Sequence, residues 1–351
     1  MNTPVNRLPR WRGFNLLEKF SQRGGIKPFR EEDFALLAEW GFDWARLPMT
    51  YMAWTREDDL YALKEDQLLE IDQAVAFGRQ YGIHVCLSFH RAPGFSVNRE
   101  RQEPFSLWRD QAALDCCTFH WQHFAQRYAG IPGEQLSFNL WNEPEEPTRA
   151  KMTREDHARV VRHVVAAIRA IDPARPIVAD GVHWGTKPLP ELADLAVYQS
   201  CRGYHPVEVT HYQASWNDPG VYPLPCWPLR HENISPELKQ YYKKNDSINL
   251  APHGSDRATL EQFYQPWVDL LAQGVGVHCG EMGCYSKTPH AVVLAWMEDV
   301  LSVLTERNIG FGLWNFRGTF GPLDSQRDDV HYEDFRGHQL DRQMLELLLR
   351  Y

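Results

Sequence analysis

Residues 136–144 read LSFNLWNEP. This is an apolar run of strand length that stops on Asn142, Glu143 and Pro144. Proline lacks the N–H a sheet ladder needs, so the strand ends there. A carboxylate is seldom buried without a partner. Glu143 therefore belongs where a sheet stops covering its residues and begins to present them. In a parallel barrel that place is the mouth formed by the C-terminal strand ends.

The same unit, a short apolar run followed by a longer amphipathic segment, recurs along the chain. Residues 11–16, 44–49, 84–90, 136–144, 176–181, 207–212, 275–283 and 310–316 read as strands. Helical spacing falls at 31–40, 64–81, 111–128, 153–171, 190–196, 290–307 and 342–349. Thr153 is a natural N-cap for its helix, and Asp172-Pro173 a stop. Eight alternations predict an α/β fold of the (β/α)8 TIM-barrel type, formed as a single domain over 1–351. A doubly wound open sheet would carry a glycine-rich phosphate turn after an early strand, and neither G-x-G-x-x-G nor a P-loop is present. Segment 213–258 breaks the rhythm, with Trp216, Tyr222, Trp227 and six prolines. A connection this long in a barrel, following strand six, is expected to serve the site.

Composition narrows the classes. The chain has 351 residues, 43% hydrophobic and 13% aromatic, with 13 tryptophans. That is more tryptophan than a core needs, and flat aromatic faces suit the apolar faces of sugars. Acidic residues outnumber basic ones 46 to 37, and no basic run exceeds Lys243-Lys244, which argues against a nucleic-acid partner. No apolar run approaches the length of a transmembrane helix. The stretch 1–14 lacks the apolar region of a signal peptide, so the chain as written reads as cytoplasmic, or as secreted if a leader has been removed. Seven cysteines, an odd number with no C-x-x-C pair, read as buried thiols rather than a disulfide framework or zinc site, and lean towards a reducing compartment. His90, His205 and His211 lack H-x-H or H-E-x-x-H spacing, so no metal is expected.

The predicted strand ends bring together Arg46, His90, Asn142, Glu143, Asp180, His211, Tyr212, Glu281 and Trp314. Two glutamates across one cleft suit acetal cleavage, in which one protonates the leaving oxygen and the other attacks or stabilises the oxocarbenium-like centre. The two roles require different pKa values, which neighbours must create. Arg46 and Tyr212 near Glu281 would keep it ionised; burial and the charge of Glu281 would raise Glu143. The residues alone do not say which glutamate is the acid.

At this point the chain resembles glycoside hydrolase family 5, a family of retaining barrel glycosidases. The resemblance runs from WRGFNL at 11–16 to LWNF at 313–316. WNEP at 141–144 is its strongest element; RLP at 46–48, SFHRAPG at 88–94, HY at 211–212 and GEMG at 280–283 support it in the family's order. The resemblance implies that Glu143 is the acid/base, that Asn142 bonds the sugar 2-hydroxyl, and that Glu281 is the nucleophile. It implies Arg46 and Tyr212 as partners of Glu281, with His211 beside the acid/base, His90 near the sugar and Trp314 as its stacking platform. It implies no cofactor and a β-linked oligo- or polysaccharide substrate, with β-glucans (β-1,4 or β-1,3) favoured over mannans. HRAPG at 90–94 is similar to a stretch of the exo-β-1,3-glucanase relatives, with Arg91 in place of a small residue. The 213–258 segment would favour exo action if it walls off one end of the cleft. Transglycosylation through the same intermediate, and a silent carbohydrate-binding barrel, are the competing readings.

Overall fold

Strands of a parallel barrel are covered on both faces and so read as near-continuous buried runs. This holds for β2 (Trp44–Thr50), buried at every position. In the computed structural model, which describes residues 8–97, 103–145, 152–231, 234–245 and 249–351, it is one member of a closed ring. The others are β1 (Arg12–Asn15), β3 (His84–Ala92), β4 (Leu136–Asn139), β5 (Ile177–Asp180), β6 (Tyr198–Gly203), β7 (Val277–Met282) and β8 (Gly310–Leu313). Each pairs in parallel with its sequence neighbours, and β1 pairs with both β2 and β8, which closes the barrel. A two-residue strand, Phe95–Ser96, folds back antiparallel on the end of β3.

The outer layer follows the predicted spacing except at α5 and α6, which the spacing does not show, and at 190–196, where Pro190–Leu195 forms a 3-10 helix. It comprises α1 (Glu31–Glu39), α2 (Glu65–Tyr81), α3 (Gln111–Arg127), α4 (Arg154–Arg169), α5 (Pro236–Lys244), α6 (Arg257–Ala272), α7 (His290–Glu306) and α8 (Arg342–Arg350). Thr153 caps α4 in a capping box with Asp156, and Val160, Val161, Val164, Val165 and Ile168 are buried on its inner face. Between barrel and helices, Trp121 of α3 stacks on Phe89 of β3 at 3.9 Å and packs on Phe138 of β4 at 5.1 Å. At the closed end Trp11 stacks on His84 at 3.7 Å and Trp44 lies against His278 at 4.5 Å. Gly13 permits the approach of β2 there: a Cβ on it would lie 1.7 Å from the Trp44 carbonyl oxygen.

Two expectations are corrected. The sixth strand is not 207–212 but β6, YQSCRG; Val207–Thr210 is a single helical turn. The apolar signal pointed to the wrong segment because β6 turns Gln199, Ser200 and Arg202 into buried surroundings, while Pro206 cannot extend a ladder into Val207 and Val209. The 213–258 segment is not structureless. It carries α5, its Tyr222, Leu238 and Leu250 form a small apolar cluster with Val207, and α6 begins before it ends. Pro266, inside α6, masks that helix in the sequence, although Asp256 and Thr259 form its capping box. Residues 232–233 and 246–248 of that segment, and 1–7 of the stretch read for a leader, lie outside the described residues. No helix among the described residues is long and apolar enough to cross a membrane.

Candidate active site

The open end of the barrel holds polar side chains where barrel interiors more often carry branched apolar ones. Asn15, Arg46, Ser88, Asn139, Asn142, Asp180, Arg202 and Glu281 are all buried there. Such a cluster is stable only if its members satisfy one another. Arg46 donates from Nε to Asn139 at 2.9 Å, from Nη1 to Asn15 at 2.9 Å and to Glu281 Oε1 at 2.5 Å, and from Nη2 to Asn142 at 2.8 Å. Asn15 in turn donates to the Gly280 and Leu313 carbonyls, tying β1 to β7 and β8.

Glu143 lies beyond the end of β4, on a backbone with φ of 49°, a left-handed conformation that side chains other than glycine rarely adopt. Its N–H donates to Asp180 Oδ2 at 2.9 Å, and its Oε1 accepts from Arg202 Nε at 2.8 Å. Its side chain is 16% exposed, against 3% for Glu281. Burial, and then the negative charge of Glu281, push the Glu143 carboxyl well above the usual carboxylate range; Arg202 pulls the other way. Arg202 also contacts Glu281 Oε1 at 3.2 Å, so one guanidinium touches both glutamates.

The geometry separates the residues named from the sequence. Arg46, Asn142, Glu143 and Glu281 share one hydrogen-bonded cluster. Asn142 Oδ1 accepts from Arg46 and Arg202, which fixes the amide, and its buried Nδ2 has no partner among the described residues. His90 and Trp314 lie 5.5 Å apart, each packed on Phe20, and form one wall of the mouth. Burial holds the His90 imidazole far below its ordinary value, so it is uncharged. Tyr212 is misplaced by the sequence reading. It packs beside the small outer cluster and accepts from Gln213, while the hydroxyl that donates to Glu281 Oε2, at 3.2 Å, belongs to Tyr204. His211 is also displaced: it lies edge-on to Tyr204 at 5.0 Å, and the side chain that bonds Glu143 is Arg202. Both corrections follow from the shift of strand six. The usable sequence signal was the tyrosine just after a strand candidate at 198–203, obscured by that strand's polarity.

An aromatic wall runs outwards from Tyr204 through His211, Phe320 and Tyr285 to Trp216, which is 60% exposed. A separate cleft of about 780 Å³ lies beside α6 and is lined by His205, Leu250, Phe263 and four prolines among others. Among its described lining residues the one carboxylate, Glu191, is paired with Arg154, and no second carboxylate faces it as in the mouth. Among the described residues no group of three or more His, Cys, Asp or Glu side chains is arranged to hold a metal ion.

Known proteins share this arrangement of chain. Endoglucanase C of Acetivibrio thermocellus is 26% identical over 294 residues, covering 82% of this chain and 83% of the relative. Cellodextrinase A of Ruminococcus flavefaciens is 24% identical, covering 80% and 76%. A crystal structure described as a glycoside hydrolase superposes with a TM-score of 0.86 at 38% identity, over 97% of this chain and 99% of the other. The model for cellulase (glycosyl hydrolase family 5) matches residues 6–319, and the chain belongs to that family of glycosyl hydrolases.

Proposed function

We propose that the protein cleaves β-linked gluco-oligosaccharides with retention of configuration, using Glu143 as acid/base and Glu281 as nucleophile. The observation that carries this is the shared guanidinium of Arg202, in contact with both carboxylates. That contact supports the close spacing of about 5–5.5 Å at which a carboxylate attacks directly rather than through water. In the first step Glu281 attacks the anomeric carbon. The glycosidic bond breaks, and Glu143 gives its proton to the departing oxygen. Esterified Glu281 no longer carries a charge, which removes one cause of the raised Glu143 pKa. Glu143 then takes a proton from the water that breaks the ester.

The other side chains fit named tasks in this scheme. The unpartnered Nδ2 of Asn142 is a donor for the sugar 2-hydroxyl. Trp314, half-buried beside His90, is the platform for the sugar at the cleaved bond. Tyr204 donates to Glu281 Oε2 and steadies the carboxylate for attack. Tyr204→Phe is expected to lower kcat about tenfold or more, while Tyr212→Phe leaves it within about twofold. Steady-state kinetics on one oligosaccharide compare the two; equal losses would return the role to Tyr212.

The names of the two curated relatives support a β-1,4-glucan substrate, and the exposed Trp216 supports binding of more than one sugar unit. The deciding experiment is product release from cello-, laminari- and manno-oligosaccharides of graded length. Turnover is expected on the cello series, increasing with length until Trp216 is covered. Turnover confined to the manno series would overturn the substrate assignment. Products longer than the substrate would assign transglycosylation.

A further inference from the structure

The Arg202–Asp180 pair is built with more care than a structural ion pair requires. All five guanidinium N–H groups of Arg202 are used: Nε on Glu143, Nη1 on Ser200 Oγ and the Cys201 carbonyl, Nη2 on Asn142 Oδ1 and Asp180 Oδ2. The strands make room for it. The β6–β7 register shifts between Cys201 and Arg202. Gly185 and Gly280 leave space that a Cβ would deny: it would lie 2.5 Å from Arg202 Cγ in the first case and 3.2 Å from Nη1 in the second. Asp180 is gripped as fully, accepting from Asn139 Nδ2 at 2.9 Å, from the Glu143 N–H and from Arg202.

Resting on the assignment of Glu143 as acid/base, we propose that Arg202 and Asp180 form a positioning pair for it, Arg202 aiming the carboxyl and Asp180 both holding the strained backbone beneath it and cancelling the charge of Arg202. The geometry alone gives the first half. Arg202 binds the head of Glu143, Asp180 binds its N–H, and the two bind each other, so one rigid unit fixes both ends of a residue whose φ of 49° would relax if unrestrained.

Charge gives the second half. Among the described residues, the groups that face Glu143 are Arg202 and Tyr204 from the β6 segment, Asp180 from β5 and Glu281 from β7, with Arg46 of β2 one contact further, on Glu281. Three carboxylates and two guanidiniums leave one negative charge uncompensated in a buried site. A single proton balances it, and Glu143 is the member that can deliver that proton to a substrate. An arginine beside an acid normally strips the proton from it. Asp180 offsets that effect, so Arg202 can aim Glu143 without discharging it.

The test is the pH profile of kcat/KM for wild type, Asp180→Asn and Arg202→Gln. Each is measured on a cello-oligosaccharide and on an aryl glycoside whose leaving group needs no proton. Asp180→Asn is expected to move the alkaline limb on the oligosaccharide to lower pH by about one unit, and Arg202→Gln to move it to higher pH. Both are expected to cost the oligosaccharide about tenfold more than the aryl substrate. Unmoved limbs with equal losses on the two substrates would overturn the proposal in favour of a purely structural pair. If either variant fails to fold, Arg202→Lys decides: its point charge cannot serve Glu143 and Asp180 together, so a displaced limb supports the pair and an unmoved one rejects it. Glu143→Ala, run alongside, separates the two readings. If it loses both substrates equally, the acid/base assignment fails; if it discriminates and the pair variants do not, only the pair's role fails.

Discussion

Glu281→Gln is expected to lower kcat/KM on a gluco-oligosaccharide by at least about 10⁴-fold while leaving folding and sugar binding in place. Glutamine matches glutamate in shape; with its carbonyl in the Oε1 place it still accepts from Arg46 Nη1, and its amide N–H in the Oε2 place donates to the Tyr204 hydroxyl oxygen, so the cluster keeps its contacts with the Tyr204 bond reversed. The amide cannot form the ester on which the first step depends. The substitution also removes the negative charge that helps to raise Glu143, so the Glu143 carboxyl is expected to titrate lower in this variant. Two measurements check it: turnover against binding of the same oligosaccharide, and the carboxyl titration followed by NMR. Turnover lost only in proportion to folded protein would remove Glu281 from the chemistry.

Glu143→Ala is expected to lose about 10²–10⁴-fold on oligosaccharides, whose leaving oxygen must be protonated, and far less in the first step on activated aryl glycosides. Azide, small enough to enter the space of the missing carboxyl, is expected to restore turnover of the aryl substrate and to yield the glycosyl azide with retained configuration. The pH dependence follows from the same group. Burial and the charge of Glu281 push Glu143 up to about 8. The acid is competent below that value and is lost as pH rises through it. The wild-type alkaline limb on oligosaccharides therefore belongs well above the ordinary carboxylate range, and it is expected to disappear in Glu143→Ala assayed on the aryl substrate. A limb that persists in the variant would assign it to another group.

Legibility differs along the barrel, and the difference has a physical origin. β2, β3 and β7 announce themselves because their apolar residues are buried by contact with the helices, and the 136–144 run marks the β4 segment in the same way. Helices α4 and α7 do so because a helical stripe of apolar residues faces the barrel. The paired glutamates and Arg46 were visible for a second reason, since a charged residue in or just past an apolar strand calls for a partner. β6 defeats both signals. YQSCRG has no apolar run, and Val207 and Val209, which look like a strand, bury themselves in a helical turn that packs on the 213–258 segment. That one shift moved the assigned tyrosine from Tyr204 to Tyr212 and put His211 where Arg202 stands.

By itself, then, the sequence determined the alternation that closes the barrel and the two carboxylates set at the ends of β4 and β7. Each of these rests on a property a residue carries with it, namely the tendency of apolar surface to leave water and the cost of burying a charge. Only the tertiary structure decided that Arg202 lies between those carboxylates, that Asp180 balances it, and that Tyr204 reaches Glu281. Those placements depend on partners as far apart in the chain as Glu143 and Glu281. A buried polar side chain is stabilised by the partner it meets, and the meeting is made by the closure of the barrel.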